Sequence, residues 1–108
     1  MVFISIEDFF NKTESLTRMT SEEEIECVRL MKEGNADSRE RLIESYLPFI
    51  ASHVKRAKPH LQTLGLVMYY IEALEKAVDS FDFSRGNKAF MHHLNRYFRQ
   101  ALTNYIVR

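Results

Sequence analysis

Three glycines and two prolines in 108 residues are too few to punctuate an all-β chain, whose short strands need a turn roughly every 8–12 residues. A single cysteine, Cys27, excludes an internal disulfide, and no apolar stretch approaches the roughly 20 residues that span a bilayer. No basic leader with an apolar run and a small-residue cleavage site opens the chain, so the expected home is a reducing cytoplasm, with no membrane partner. Formal net charge is zero, which removes any global attraction to nucleic acid or lipid and leaves only local attraction. One more absence is positional: no carboxylate side chain follows Asp82.

That last absence makes the charge uneven. Residues 1–24 hold Glu7, Asp8, Glu14, Glu22, Glu23 and Glu24 against Lys12 and Arg18, a balance of −4. Residues 83–108 hold Arg85, Lys88, Arg96, Arg99 and Arg108 against no acidic side chain, a balance of +5, with His92 and His93 able to add to it. With 45% hydrophobic residues, the length suits one core, so residues 1–108 read as a single domain.

Apolar residues recur at three- and four-residue spacing, which predicts an all-α chain of about five helices. A short helix is expected over about 6–11. A firmer one starts at "TSEEE", where Thr20 or Ser21 can cap and Glu23 or Glu24 can complete a capping box, and it stops at Gly34. "ADSRERLIESY" runs into Pro48, which removes an amide donor and clashes with the preceding turn. A break is therefore expected near Tyr46–Leu47, with a restart that carries Pro48 in its first turn and reaches about Ala57. Pro59 forces a connection, a long helix follows over about 63–81, "DFSRGNK" is a loop, and a final helix covers about 89–106.

At 100° per residue the final helix has a core stripe of Phe90, Leu94, Phe98, Ala101, Leu102 and Tyr105. Its other side carries His92, Arg96, Arg99, Gln100 and Thr103, bordered by His93 and Asn104, with Tyr97 half-turned inward. Arginine supplies phosphate contacts, glutamine can pair with an adenine edge, and a histidine or tyrosine ring offers a stacking surface for an unpaired base. Spacing alone leaves this face open between a solvated surface and a DNA contact. On the preceding helix the buried stripe is Leu66, Tyr70, Ala73, Leu74, Ala77 and Phe81, while Met68 and Tyr69 stand among Glu72, Glu75, Lys76 and Asp79. Those two side chains either pack under the "KPHLQT" connection or meet a partner.

"EEEIECVRLMKEGNADSRERLIESYLPFIASHVKRA", then "ALEKAVDSFDFSRG", then "FRQALTNYI" resemble, in order and spacing, region 2 of the sigma-70 family of bacterial RNA polymerase initiation factors, with part of region 1.2. The resemblance covers about residues 16–108. It sets off a divergent segment (1–15) from a region 1.2-like helix (16–34) and region 2-like helices (35–108). It implies a compact helical bundle with one face on the clamp helices of RNA polymerase core and another that contacts or opens the promoter −10 element.

The position matching the family's adenine-capturing aromatic is His93, and its paired-aromatic wedge falls on Arg96 and Tyr97, so half the wedge is present. Phe90, Arg99, Gln100 and Ala101 match the family motif, and Thr103 falls where the family reads the upstream end of the element. The implied DNA set is Arg85, Lys88, His92, His93, Arg96, Tyr97, Arg99, Gln100 and Thr103. The implied polymerase set is Gly65, Met68, Tyr69, Ile71, Glu72, Glu75 and Lys76, of which Gly65, Met68, Tyr69 and Ile71 replace polar family residues.

No helix-turn-helix follows Arg108, so the chain reads as a fragment or as a half that works beside a second polypeptide carrying that region. The rival reading is a sigma-like interaction module that binds a regulator or polymerase through Met68 and Tyr69 and touches no DNA. Cys27 with His53, His60, His92 and His93 shows no metal-ligand spacing, Cys27 reads as a buried apolar residue, and no phosphate loop or serine-nucleophile motif occurs. The expectation is no metal, no cofactor and no catalysis.

Overall fold

The computed structural model describes residues 2–108, apart from the Asn87 side chain. Its helices are α1 (Ile6–Glu14), α2 (Ser21–Lys32), α3 (Ala36–Ser45), α4 (Leu47–Arg56), α5 (Leu64–Ser80) and α6 (Asn87–Val107), with 3-10 turns at Pro59–Leu61 and Phe83–Arg85. Only Tyr46 separates α3 from α4, so the two count as one interrupted helix and the bundle as five, in agreement with the expected all-α class.

Each boundary has a local cause. Ser5 accepts the Asp8 amide at 3.0 Å, which pairs an orphan donor of α1, while the Asp8 carboxylate accepts the amide of Ile4, just ahead of the cap, at 3.0 Å. On α2 the Thr20 hydroxyl accepts the Glu23 amide at 3.1 Å and Glu23 reaches back to the Thr20 amide at 3.5 Å, a capping box. That helix ends through Gly34 at φ +92°, with Gly34 N–H on the Met31 carbonyl and Asn35 N–H on that of Leu30. Asn35 then caps α3 and Thr63 caps α5. Pro48 lies in the first turn of α4, where its missing donor costs nothing.

Three boundaries differ from expectation. Helix α1 runs three residues past 11, because Thr13 is buried and its hydroxyl donates to the Phe9 carbonyl at 2.8 Å. Helix α6 begins at Asn87 rather than 89, since Gly86 at φ +92° turns the chain directly into it. "DFSRGNK" is therefore not all loop: Asp82 accepts both the amide and the hydroxyl of Ser84 and winds a 3-10 turn.

Helices α5 and α6 run antiparallel, with Gly65 at the start of one against Tyr105 near the end of the other. Leu66, Tyr70, Leu74 and Ala77 meet Phe90, Leu94, Phe98 and Ala101 in the core, joined by Ile50 and Val54 of α4 and Leu42 of α3. Val67 and Val78 are also buried, whereas Phe81 and Leu102, expected inside, are half-buried at the rim. Phe98 packs edge-on against Tyr70 at 4.9 Å and His53 at 5.0 Å. Phe9 is fully buried and Phe3 packs edge-on to it at 4.9 Å, so this first segment contributes to the core through Phe9, with Phe3, Ile6 and Phe10 packed against it. A bidentate pair from Arg39 to Asp79, 2.8 Å on each arm, ties α3 to α5.

Candidate nucleic-acid and partner interface

Helix α6 is 21 residues long, about 31 Å at 1.5 Å per residue. Phe90, Leu94, Phe98 and Tyr105 hold one side in the core, and this forces the opposite side outward. His92, Arg96, Arg99, Gln100 and Thr103 are exposed on it, with Arg85 and Lys88 exposed at its approach. Among the described residues none of Lys88, Arg96 or Arg99 forms an ion pair, so these cations are not committed within the fold. Two of the polar groups are held locally: the Gln100 amide donates to Asn104 at 2.9 Å and the Thr103 hydroxyl to the Arg99 carbonyl at 3.1 Å.

His93 and Tyr97 sit half-buried on the flank of α6 that faces α5. His93 Nε2 and the Tyr97 hydroxyl each lie 3.0 Å from the Ser80 hydroxyl at the end of α5. The rings of His93 and Tyr97 are 4.9 Å apart, and Phe81 stands 5.1 Å behind His93. Burial first, and then the Arg96 guanidinium, push His93 below the ordinary histidine range; Arg85 adds to this and the Ala77 carbonyl opposes it. Phe81 continues to Phe83 at 5.2 Å, and the Arg85 guanidinium lies 5.9 Å from the Phe81 ring, which makes a row of four half-buried rings with a cation alongside. Ser80 and this row were not singled out from sequence. The signal was the density of "SFDF" against "HHLNRY", which matters only once α5 folds back on α6.

The other candidate set occupies α5. Gly65 is exposed but tightly packed on one side: a Cβ there would come within 3.0 Å of Tyr105. Tyr69 is half-buried and meets the Tyr105 ring edge-on at 5.3 Å, and Ile71 packs half-buried against the core. Met68 is 57% exposed. Glu72 and Lys76 form an exposed i,i+4 pair at 3.1 Å, and Glu75 is half-buried. A cleft of about 230 Å³ between α5 and α6 is lined by Tyr69, Glu72 and Lys76 on one bank and Tyr97, Gln100 and Asn104 on the other, so the two sets adjoin. Another cleft, about 390 Å³, lies between α2 and the 83–85 turn and is lined by Ile25, Val28 and Phe83 among others; sequence reasoning assigned it nothing.

Among the described residues no group of three or more His, Cys, Asp or Glu side chains could hold a metal ion, and no helix is long and apolar enough to cross a membrane. Cys27 is buried.

The chain is similar to a bacterial sigma factor. RNA polymerase sigma factor SigA of Clostridium acetobutylicum is 34% identical over 89 residues, 82% of this chain but 23% of that protein. The chain thus spans about a quarter of the length of that relative. This likeness supports a distant, sigma-70-like relationship. No family model matches the chain, and no solved structure does.

Proposed function

We propose that the chain is a sigma region 2-like module that docks on RNA polymerase core and presents α6 to promoter −10 DNA. The observation that carries it is the outward face of α6: Arg96, Arg99, Gln100 and Thr103 exposed together on a helix with no acidic side chain, in a chain similar to a sigma factor over most of its length. Guanidinium groups without intramolecular ion pairs suit phosphates, and a glutamine between them suits a base edge. Promoter contact on this reading is binding and strand capture, with no covalent chemistry.

Co-purification with polymerase core tests the docking. For DNA, Arg99→Ala is expected to weaken binding to all sequences and to lower the log–log salt slope by about one, whereas Gln100→Ala mainly relaxes sequence preference. Unchanged affinity and slope on single-stranded and duplex −10 DNA, with polymerase present, would remove the DNA half of the proposal. A second reading, an interaction module that uses α5 and touches no DNA, is favoured by one observation, the exposure of Met68. Polymerase or regulator binding without DNA contact would select it.

A further inference from the structure

Ser80 ends α5, and nothing in the helix itself requires its hydroxyl, which could be satisfied by the Ala77 carbonyl 3.4 Å away. Instead it lies closer, at 3.0 Å, to two groups on a different helix, His93 Nε2 and the Tyr97 hydroxyl. Those residues are four apart on α6 and therefore neighbours on one face. A serine hydroxyl carries one proton and two lone pairs, so it can bond both partners at once when the Tyr97 hydroxyl donates to it, whether His93 Nε2 then donates or accepts. Phe81, next in sequence, backs the His93 ring. One short segment thus sets the orientation of both rings from outside their own helix.

We infer that Ser80 is a positioning residue that fixes His93 and Tyr97 as a preformed ring pair for stacking an unpaired nucleobase. The inference rests on the proposed function, and it explains how a chain with histidine and a single tyrosine at these positions can hold a base. An untethered ring loses rotamer freedom when a base arrives, and that cost subtracts from affinity. Rings already held by Ser80 meet it on folding instead.

The test compares the native chain with Ser80→Ala and Ser80→Thr, which keeps the hydroxyl. Side-chain couplings and NOEs of His93 and Tyr97 in the free protein are expected to show one dominant rotamer for each ring in the native and Thr forms and rotamer averaging in the Ala form. A −10-like single strand carrying 2-aminopurine, with polymerase core present, is expected to be quenched by the first two, while Ser80→Ala binds it about five- to tenfold more weakly. A Ser80→Ala chain with native ring rotamers and native quenching overturns the inference, as does a Thr form that behaves like Ala. If the native chain binds no strand at all, the proposed function falls and the ring pair has no base to hold. The first failure occurs with binding intact and the second without it, so the two are told apart.

Discussion

Gly65 sets two opposed effects against each other at one position. Alanine in a helix is favoured over glycine by about 1 kcal/mol. Here the new methyl would stand 3.0 Å from Tyr105 Cε1 and 3.1 Å from its hydroxyl. The far end of a side chain can often move, but this ring is held by a 2.5 Å hydrogen bond to Thr63 and by the edge of Tyr69. Displacing it forfeits a hydrogen bond worth about 1 kcal/mol as well as packing. Gly65→Ala is therefore expected to destabilise the native chain by roughly 1 kcal/mol and to stabilise a Tyr105→Leu background by a comparable amount. Urea melts of the four proteins measure both signs; stabilisation in both backgrounds would show that the ring yields freely. His53 gives the pH counterpart. Its Nε2 is buried with no hydrogen-bond partner among the described residues, its ring stands edge-on to Phe49 at 4.9 Å and Phe98 at 5.0 Å, and burial followed by Arg56 lowers its pKa. The unfolded chain then takes up the proton first, so stability is flat above the ordinary histidine pKa near 6.5 and falls as pH drops through it toward the lower folded value. His93 acts in the same sense. Replacing His53 with phenylalanine should remove part of that fall as pH drops below the ordinary histidine pKa near 6.5, read as a shallower pH profile of the urea midpoint.

At the scale of elements, what was legible in the sequence was whatever depends on nearest neighbours along the chain. The Thr20–Glu23 box, the Gly34 stop and the Pro48 break each act within five residues, and each stands where the residues placed it. The misjudged boundaries were decided from farther away. Residues 12–14 join α1 because Thr13 is buried once α1 has docked on α4, a contact invisible from residues 1–15 alone. The wheel of α5 found its stripe but missed Val67 and Val78, because α5 packs against α3 and α4 as well as α6 and so buries a wider arc than a single partner would. The candidate site divides the same way. Which side of α6 faces out followed from period and anchor residues, whereas the Ser80 link needs the turn at Asp82–Gly86 to bring residue 80 beside residues 93 and 97.

At the scale of the whole molecule, the two candidate faces are adjacent banks of one α5–α6 surface, so a partner on α5 and a strand on α6 would stand side by side. The sequence grouped Met68 with Tyr69 as one apolar intrusion among charges. The structure separates them: Tyr69 leans on Tyr105 and supports the fold, while Met68 is mostly open to solvent. Glutamate at 69 would remove a ring contact and disturb the α5–α6 seam, so a loss of binding there would be ambiguous. Met68 is the clean probe. A carboxylate at an exposed helical position costs the fold little, within about 0.5 kcal/mol. Buried in a protein interface without a partner it would be expensive, because an unpaired charge must shed its hydration. Met68→Glu is thus expected to leave the thermal midpoint within a few degrees of native and to reduce co-purification with polymerase core at least tenfold, about 1.4 kcal/mol. Retention equal to native, at equal stability, would mean that α5 is not the docking face, and the partner contact would have to be sought elsewhere, beginning with the Ile25–Phe83 cleft beside α2.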